Sequence, residues 1–170
     1  MEPVTRPVVA GPAAWWGVLG VAFVFASAAF RLGERGVITM RAGLGPWEWA
    51  ALAGLTAVFV YGEGVRALQR KYIPFVIRRV DAVRREHIVY RVLAPLHAMA
   101  LVGAPPGILV RAWGGSLAIV AAVLIVRGFA EPWRGIVDFA VAAALSWGTV
   151  ALIVLAARAA RPIEPGASAG

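Results

Sequence analysis

The chain contains no cysteine, two histidines and one lysine among its 170 residues. The absence of cysteine excludes disulfide bonds and thiolate metal ligands. The two histidines, His87 and His97, are ten residues apart, and on one continuous helix that spacing separates them by about 15 Å. They therefore cannot bind one metal ion or haem from that helix, and we expect no cofactor. No metalloprotease-type H-E-x-x-H pattern is present either, so the sequence offers no catalytic residues.

Charged residues are also scarce. They make up 15% of the chain, whereas hydrophobic residues make up 61%, against about 25% and 45–50% in soluble domains. So apolar a chain is expected to fold in lipid. The net charge of +8 does not indicate nucleic-acid binding, because the basic residues flank apolar runs, as they do beside membrane spans.

Apolar runs long enough to cross a membrane make up most of the rest of the sequence. A span needs about 20 residues for a hydrocarbon core of about 30 Å. The sequence predicts an all-α polytopic transmembrane helix bundle, one domain over residues 1–160, with a disordered tail at 161–170. We predict five spans, at about 13–32, 46–64, 88–104, 108–127 and 133–157. The third contains Arg91, Pro95 and His97, and if it is re-entrant or interfacial the spans number four.

Three of the runs open with proline followed closely by tryptophan: Pro12 with Trp15, Pro46 with Trp47, and Pro132 with Trp133. Proline is tolerated in a first helical turn, and tryptophan favours the headgroup level. These pairs therefore predict helix starts at the membrane interface. Residues 26–28, Ala-Ser-Ala, resemble a signal-peptide cleavage site, but the single preceding basic residue favours a retained span.

The distribution of Lys and Arg predicts the orientation of the bundle. Seven of these residues lie between 66 and 85, and such loops stay in the cytoplasm. The N-terminus is therefore predicted to lie in the cytoplasm. The excess of Arg over Lys, with abundant Ala and Gly, is typical of a GC-rich bacterial genome, so the membrane is predicted to be a bacterial cytoplasmic (inner) membrane. Five spans would leave the C-terminus outside, and four would return it to the cytoplasm.

Residues 70–87 combine apolar and basic positions at helical spacing. Ile73, Val76, Ile77, Val80 and Val83 share one face, which predicts a basic amphipathic helix on the cytoplasmic membrane surface. Its cations would favour anionic headgroups. The lipid-facing basic patch comprises Arg70, Lys71, Arg78, Arg79, Arg84 and Arg85.

A few polar residues stand inside or beside the runs. Glu63 and Arg66 are three apart, and Arg134 and Asp138 are four apart, so each pair can share a helix face. Asp138 is about 7–8 Å along its helix, near the headgroup boundary. The candidate functional or packing residues are Glu63, Arg66, Arg91, His97, Arg134 and Asp138.

Small residues predict how the last two spans pack. Ala142, Ser146 and Thr149 follow Asp138 on one stripe, and the preceding span has Gly114, Ala118 and Ala122 at the same spacing. Small residues let helices approach closely in lipid. We expect these two faces to pack, with Arg134 and Asp138 at the cytoplasmic end of the contact.

Four segments carry a resemblance to a family: GVRALQ at 64–69, PLHAM at 95–99, EPWRGIVD at 131–138 and LSWG at 145–148. Together they resemble a family of small multi-span bacterial inner-membrane proteins with no established activity. The resemblance covers roughly residues 60 to 155. It implies a bacterial origin and a membrane location, and it implies no mechanism.

The lack of a catalytic constellation favours a non-enzymatic structural or accessory role, in association with anionic lipids and with other membrane proteins or a second copy. The alternative is a small transporter or channel in which Glu63, His97 and Asp138 line a polar path. A lipid-modifying enzyme is a weaker third possibility. Convergence of the polar residues on one cavity would favour transport, whereas separate pairs would favour the accessory role.

Overall fold

A computed structural model describes residues 9–83 and 87–160, and every regular element in these residues is helical. The helices are α1 (Pro12–Ala42), α2 (Pro46–Phe59), a π-helical segment (Val60–Tyr72), α3 (Ile73–Val83), α4 (Ile88–Val92), α5 (Ala94–Ala98), α6 (Pro106–Arg127) and α7 (Trp133–Ala159). The expected all-α class is confirmed. The expected tail, 161–170, lies outside the described residues.

Within the described residues, four helical stretches are long and apolar enough to cross a membrane: Pro12–Ala42, Pro46–Val83, Pro106–Arg127 and Trp133–Ala159. The second is one continuous helix made of α2, the π-helical segment and α3. The chain is therefore a membrane protein by the length and composition of its helices. The helix starts predicted at Pro12, Pro46 and Trp133 are confirmed.

The predicted span over residues 88–104 is not confirmed, because this region forms two helices of five residues each. Five residues of α-helix extend only about 7.5 Å, far short of the hydrocarbon thickness. Pro95 lies in the first turn of α5, and because it has no N–H it cannot donate to the Arg91 carbonyl and so continue α4 into α5. Ala100 and Gly103 adopt positive φ values of 59° and 61°, which ends the helical path.

Helix α7 is the central element, and it contacts α1, α2, the π-helical segment and α3. Helices α1 and α7 are antiparallel, since the Val9 amide donates to the Ala159 carbonyl at 3.3 Å and Gly36 packs against Phe139. At Gly135 an added Cβ would collide with the Thr39 side chain. Small residues let the two helices approach closely, which is how helices associate in lipid.

Two ends of the bundle can be named from these contacts. The terminal end holds residues 9–14 and 152–160, and the hairpin end holds the connections 43–45 and 128–132. The terminal end contains the main apolar core. Its members come from α1 (Val18, Val21, Ala22), α3 (Ile73, Val76, Ile77, Val80), α5 (Ala98) and α7 (Leu152, Ala156).

The apolar face predicted for residues 70–87 is present in α3, where Ile73, Val76, Ile77, Val80 and Val83 are all buried. This face packs against α1, α5 and α7. Helix α3 continues the second span, so protein covers the face that was expected to meet lipid. Amphipathic periodicity indicates that one face of a helix is buried, but it does not indicate whether lipid or protein covers that face.

Helix α6 differs from the other spans because none of its residues is buried. Its main contact among the described helices is with α7, and that contact is small. Trp113 Nε1 donates to the Leu101 carbonyl at 3.3 Å, which ties the start of α6 to the preceding segment. The predicted packing of Gly114, Ala118 and Ala122 onto the last helix is wrong: these residues are exposed, and nothing lies within 4 Å of a Cβ placed at Gly114.

Only the first residue of the stripe on α7 is shown to pack, and it packs against α1. Ala142 is buried and faces Gly33 of α1, whereas Ser146 is exposed. Both α1 and α6 carry small residues, so spacing alone could not choose between them as the partner of α7. Between α1 and α2 at the hairpin end, a groove of about 610 Å³ is lined by Met40, Leu52 and Phe139 among other apolar side chains.

Candidate functional site

The predicted pair Arg134–Asp138 is present at the start of α7. Arg134 Nε lies 4.0 Å from Asp138 Oδ2, and the two side chains are 23% and 9% exposed. Arg134 Nε is buried and makes no hydrogen bond to any residue that the structure describes, so the contact is a long ion pair. Asp138 is 6% exposed overall and lies where α7 packs on α1.

Thr39 of α1 is a polar residue of this site that the sequence analysis missed. Its hydroxyl donates to Glu131 Oε2 at 3.1 Å, and its side chain packs against Gly135. A hairpin-end cavity of about 540 Å³ is lined by polar side chains that include Arg35, Thr39, Glu48 and Glu131. The Gly45 amide donates to Glu48 Oε2 at 2.7 Å, which closes the first turn of α2.

Thr39 lies beyond the predicted first span, which ends at about residue 32. Helix α1 instead runs to Ala42. Val37, Ile38 and Met40 are apolar, and this continuation of the apolar pattern past Arg35 is the signal that could have extended the helix.

A second polar cluster lies at the terminal end, around Arg79 of α3. Its Nε donates to the His97 carbonyl at 2.6 Å, and its Nη2 donates to the carbonyls of Gly103 at 3.0 Å and Val102 at 3.3 Å. Arg79 Nη2 also lies 3.2 Å from His97 Nδ1. The half-buried guanidinium thus holds the end of α5 and the turn after it, and Arg79 does not face lipid as predicted.

His97 belongs to the same cluster. It is 3% exposed, and its ring packs against Tyr90 with the ring centroids 5.5 Å apart. A guanidinium only donates hydrogen bonds, so His97 Nδ1 must accept from Arg79. A ring protonated on both nitrogens could not accept and would place two cations side by side. This arrangement suits a neutral, structural histidine.

Glu63 and Arg66 are exposed on the π-helical segment, and the expected pair is not formed in the described structure. The π-helix bonds i to i+5 and has a wider turn than the α-helix, so residues three apart do not share a face. Gly64 instead packs against Trp147, and Trp147 Nε1 donates to Gln69 Oε1 at 2.8 Å.

The remaining predicted residues are distributed along the chain. Arg91 is exposed on α4, and Arg70, Lys71 and Arg78 are exposed on the second helix. Arg84 and Arg85 lie outside the described residues.

The polar candidates do not converge on one cavity. The segment containing His97 packs on α1 near Gly20, whereas the segment containing Asp138 packs on α1 near Gly36. Sixteen residues of α-helix separate these two positions by about 24 Å. Glu63 lies on another helix, exposed. No group of three His, Asp or Glu side chains that could hold a metal ion occurs in residues 9–83 and 87–160.

Comparisons with protein-family models, with curated proteins and with solved structures return no match to this chain.

Proposed function

We propose that this chain is a non-enzymatic structural or accessory protein of a bacterial cytoplasmic membrane, where it associates with other membrane proteins or with a second copy. The observation that carries this proposal is the exposure of the apolar helix α6. This 22-residue helix has a mean hydropathy of 2.1, and no residue in it is buried.

The side of α6 that faces away from the bundle has residues suited to packing against a partner helix. At 100° per residue, Gly114, Ala118 and Ala122 share one face, and half-covered Ala112 and Ser116 lie on the opposite one. The small residues therefore point away from the bundle. Small side chains let another helix approach closely, and such packing drives helix association in lipid.

The proposal includes anionic lipids at the cytoplasmic face, because Arg70, Lys71 and Arg78 are exposed. A four-span topology places both termini on the same side. Twelve of the 17 Lys and Arg residues then fall in the segments before residue 10, from 66 to 111 and after 157. By the positive-inside rule these segments, and both termini, face the cytoplasm.

The experiment is extraction of the protein from native membranes into lipid nanodiscs, followed by mass measurement and identification of what co-purifies. We expect a species heavier than the 17.9 kDa monomer. Ala118→Trp should weaken the association by obstructing the small-residue face, and Val120→Trp on the other side of α6 serves as the matched control. A bare monomer at every concentration, with nothing recovered by cross-linking, would remove the basis of the proposal.

A small transporter is the second candidate, and the hairpin-end cavity is the observation that favours it. Arg35, Thr39 and Glu131 line this cavity, and the Arg134–Asp138 pair lies next to it in sequence and on the same end of α7. The path would involve Asp138 without Glu63 or His97. A liposome flux assay tests it: Asp138→Asn and Glu131→Gln should change the flux, and equal flux in both variants and the parent would refute it.

A further inference from the structure

The outward face of α1 carries three charges where its neighbours are apolar. Arg31, Glu34 and Arg35 are all exposed. A Cβ placed at Gly33 would lie 3.6 Å from Ala142 Cβ, and Gly36 packs against Phe139. The three charges therefore lie at the height of residues 139–144 of α7, a stretch without any charged residue.

These charges have no close partner in the described part of the chain. No hydrogen bond or ion pair joins Arg31, Glu34 or Arg35 to another described residue, and Arg35 has only a longer-range electrostatic interaction with Asp138. Charged side chains at membrane depth are costly and normally pair or face a protein interior. The face is therefore expected to be covered in the membrane.

The chain itself covers only half of this face. Toward the terminal end, α4 and α5 lie on it: Pro95 packs at Gly20, Ala94 packs at Gly17, and Trp16 Nε1 donates to the Val92 carbonyl at 3.0 Å. Toward the hairpin end most of the face is exposed, and Arg35 and Ile38 also line the hairpin-end cavity. There Phe30 is 73% exposed and Ile38 is 59% exposed.

The order of the charges is self-complementary. Arg31 and Ile38 lie close to the middle of the open face, and Glu34 and Arg35 flank it on opposite sides, because consecutive residues are 100° apart on a helix. A two-fold axis along the membrane normal would place Glu34 of one copy opposite Arg35 of the other, and the reverse. This is the reciprocal contact of an isologous interface, as in the flanking charge pairs of parallel coiled coils.

We propose that two copies of this chain pack α1 against α1 through residues 30–38, with two reciprocal Glu34–Arg35 ion pairs. This inference rests on the proposed function and names a second copy as the partner. It makes the open half of the α1 face an interface whose charges are compensated between the copies.

Cysteine cross-linking in native membranes tests the interface without background, because the chain has no cysteine of its own. Ile38→Cys lies near the proposed axis, so oxidation should join two copies and give a dimer band. Val37→Cys points 100° away on the same helix, and Val150→Cys is an exposed site on α7; both should give at least several-fold less dimer.

Charge reversal tests the ion pairs in the Ile38→Cys background. Glu34→Arg alone places arginines opposite each other and should reduce the dimer band several-fold, as Arg35→Glu should through paired glutamates. The double variant Glu34→Arg with Arg35→Glu keeps the net charge and restores opposite charges across the axis, so it should recover the band. Helicity by circular dichroism shows whether each variant is folded.

The outcomes separate this inference from the function on which it rests. Ile38→Cys dimers no more abundant than those of Val150→Cys, or no recovery in a folded double variant, would overturn the α1 interface. Cross-links from Ile38→Cys to a different protein would also overturn it while supporting the accessory role. A monomer without associated protein in native nanodiscs would contradict both.

Discussion

Replacing Arg79 tests how the short helices α4 and α5 are held against the bundle. Its guanidinium donates to the carbonyls of His97 and Gly103 at 2.6 and 3.0 Å, and to the carbonyl of Val102 at 3.3 Å. Alanine at this position would leave these carbonyls without their donor. The segment from His87 to Gly103 should then open more often, while the four spans stay folded.

The magnitude follows from the two short bonds. A hydrogen bond from a charged donor contributes about 1.5–3 kcal/mol. After allowance for the half-exposed guanidinium, Arg79→Ala should lower the free energy of opening this segment by about 2–4 kcal/mol. This corresponds to amide exchange roughly 30- to 1,000-fold faster.

Hydrogen–deuterium exchange of the protein in nanodiscs is the assay, read from peptides covering residues 93–103. The amides of Leu93, His97 and Leu101 are hydrogen-bonded there. Arg78→Ala is the matched control, because Arg78 is exposed on the same helix and makes none of these contacts. Equal exchange in the two variants would refute the assignment of Arg79 as the residue that holds this segment.

Two further predictions concern the packing of α7. Gly135→Ala should destabilise the protein by about 1–3 kcal/mol through overpacking, because the new Cβ meets the Thr39 side chain. Gly54→Ala is the control: nothing lies within 4 Å of its Cβ, so thermal stability should stay equal or rise. The same loss of stability at both positions would contradict the close contact between Gly135 and Thr39. A double-mutant cycle of Arg134→Met and Asp138→Asn, measured by thermal unfolding, should give a coupling energy between the two substitutions below about 1 kcal/mol, because the pair is separated by 4.0 Å. A coupling energy of several kcal/mol would contradict this, since it would require a closer ion pair.

The residues that sequence reasoning located well are those whose local chemistry sets the structure. Pro12, Pro46 and Trp133 begin helices as expected, because proline is favoured at the start of a helix, where its missing N–H costs no hydrogen bond. The pairing of Arg134 with Asp138 depends only on a spacing of four residues within one helix. Local signals of this kind need no knowledge of the rest of the fold.

The errors came from features that depend on distant contacts. The π-helical geometry at Glu63 separated a pair that α-helical spacing would have joined. Arg79 was expected to face lipid, but it faces a segment 18 to 24 residues further along the chain. Its exposed neighbour Arg78 has the same chemistry, so composition could not distinguish the two arginines.

The sequence by itself determined that this is an all-helical membrane protein. Apolar runs of about 20 residues match the thickness of a bilayer, and in lipid the backbone groups of such a run must be paired, as they are within a helix. Only the tertiary structure decided which helix lies at the centre. Small residues occur on α1, α6 and α7 alike, and shape complementarity between Gly36 and Phe139 and between Gly135 and Thr39 joins α7 to α1. That choice leaves α6 and the charged face of α1 uncovered, and both proposals about partners arise from it.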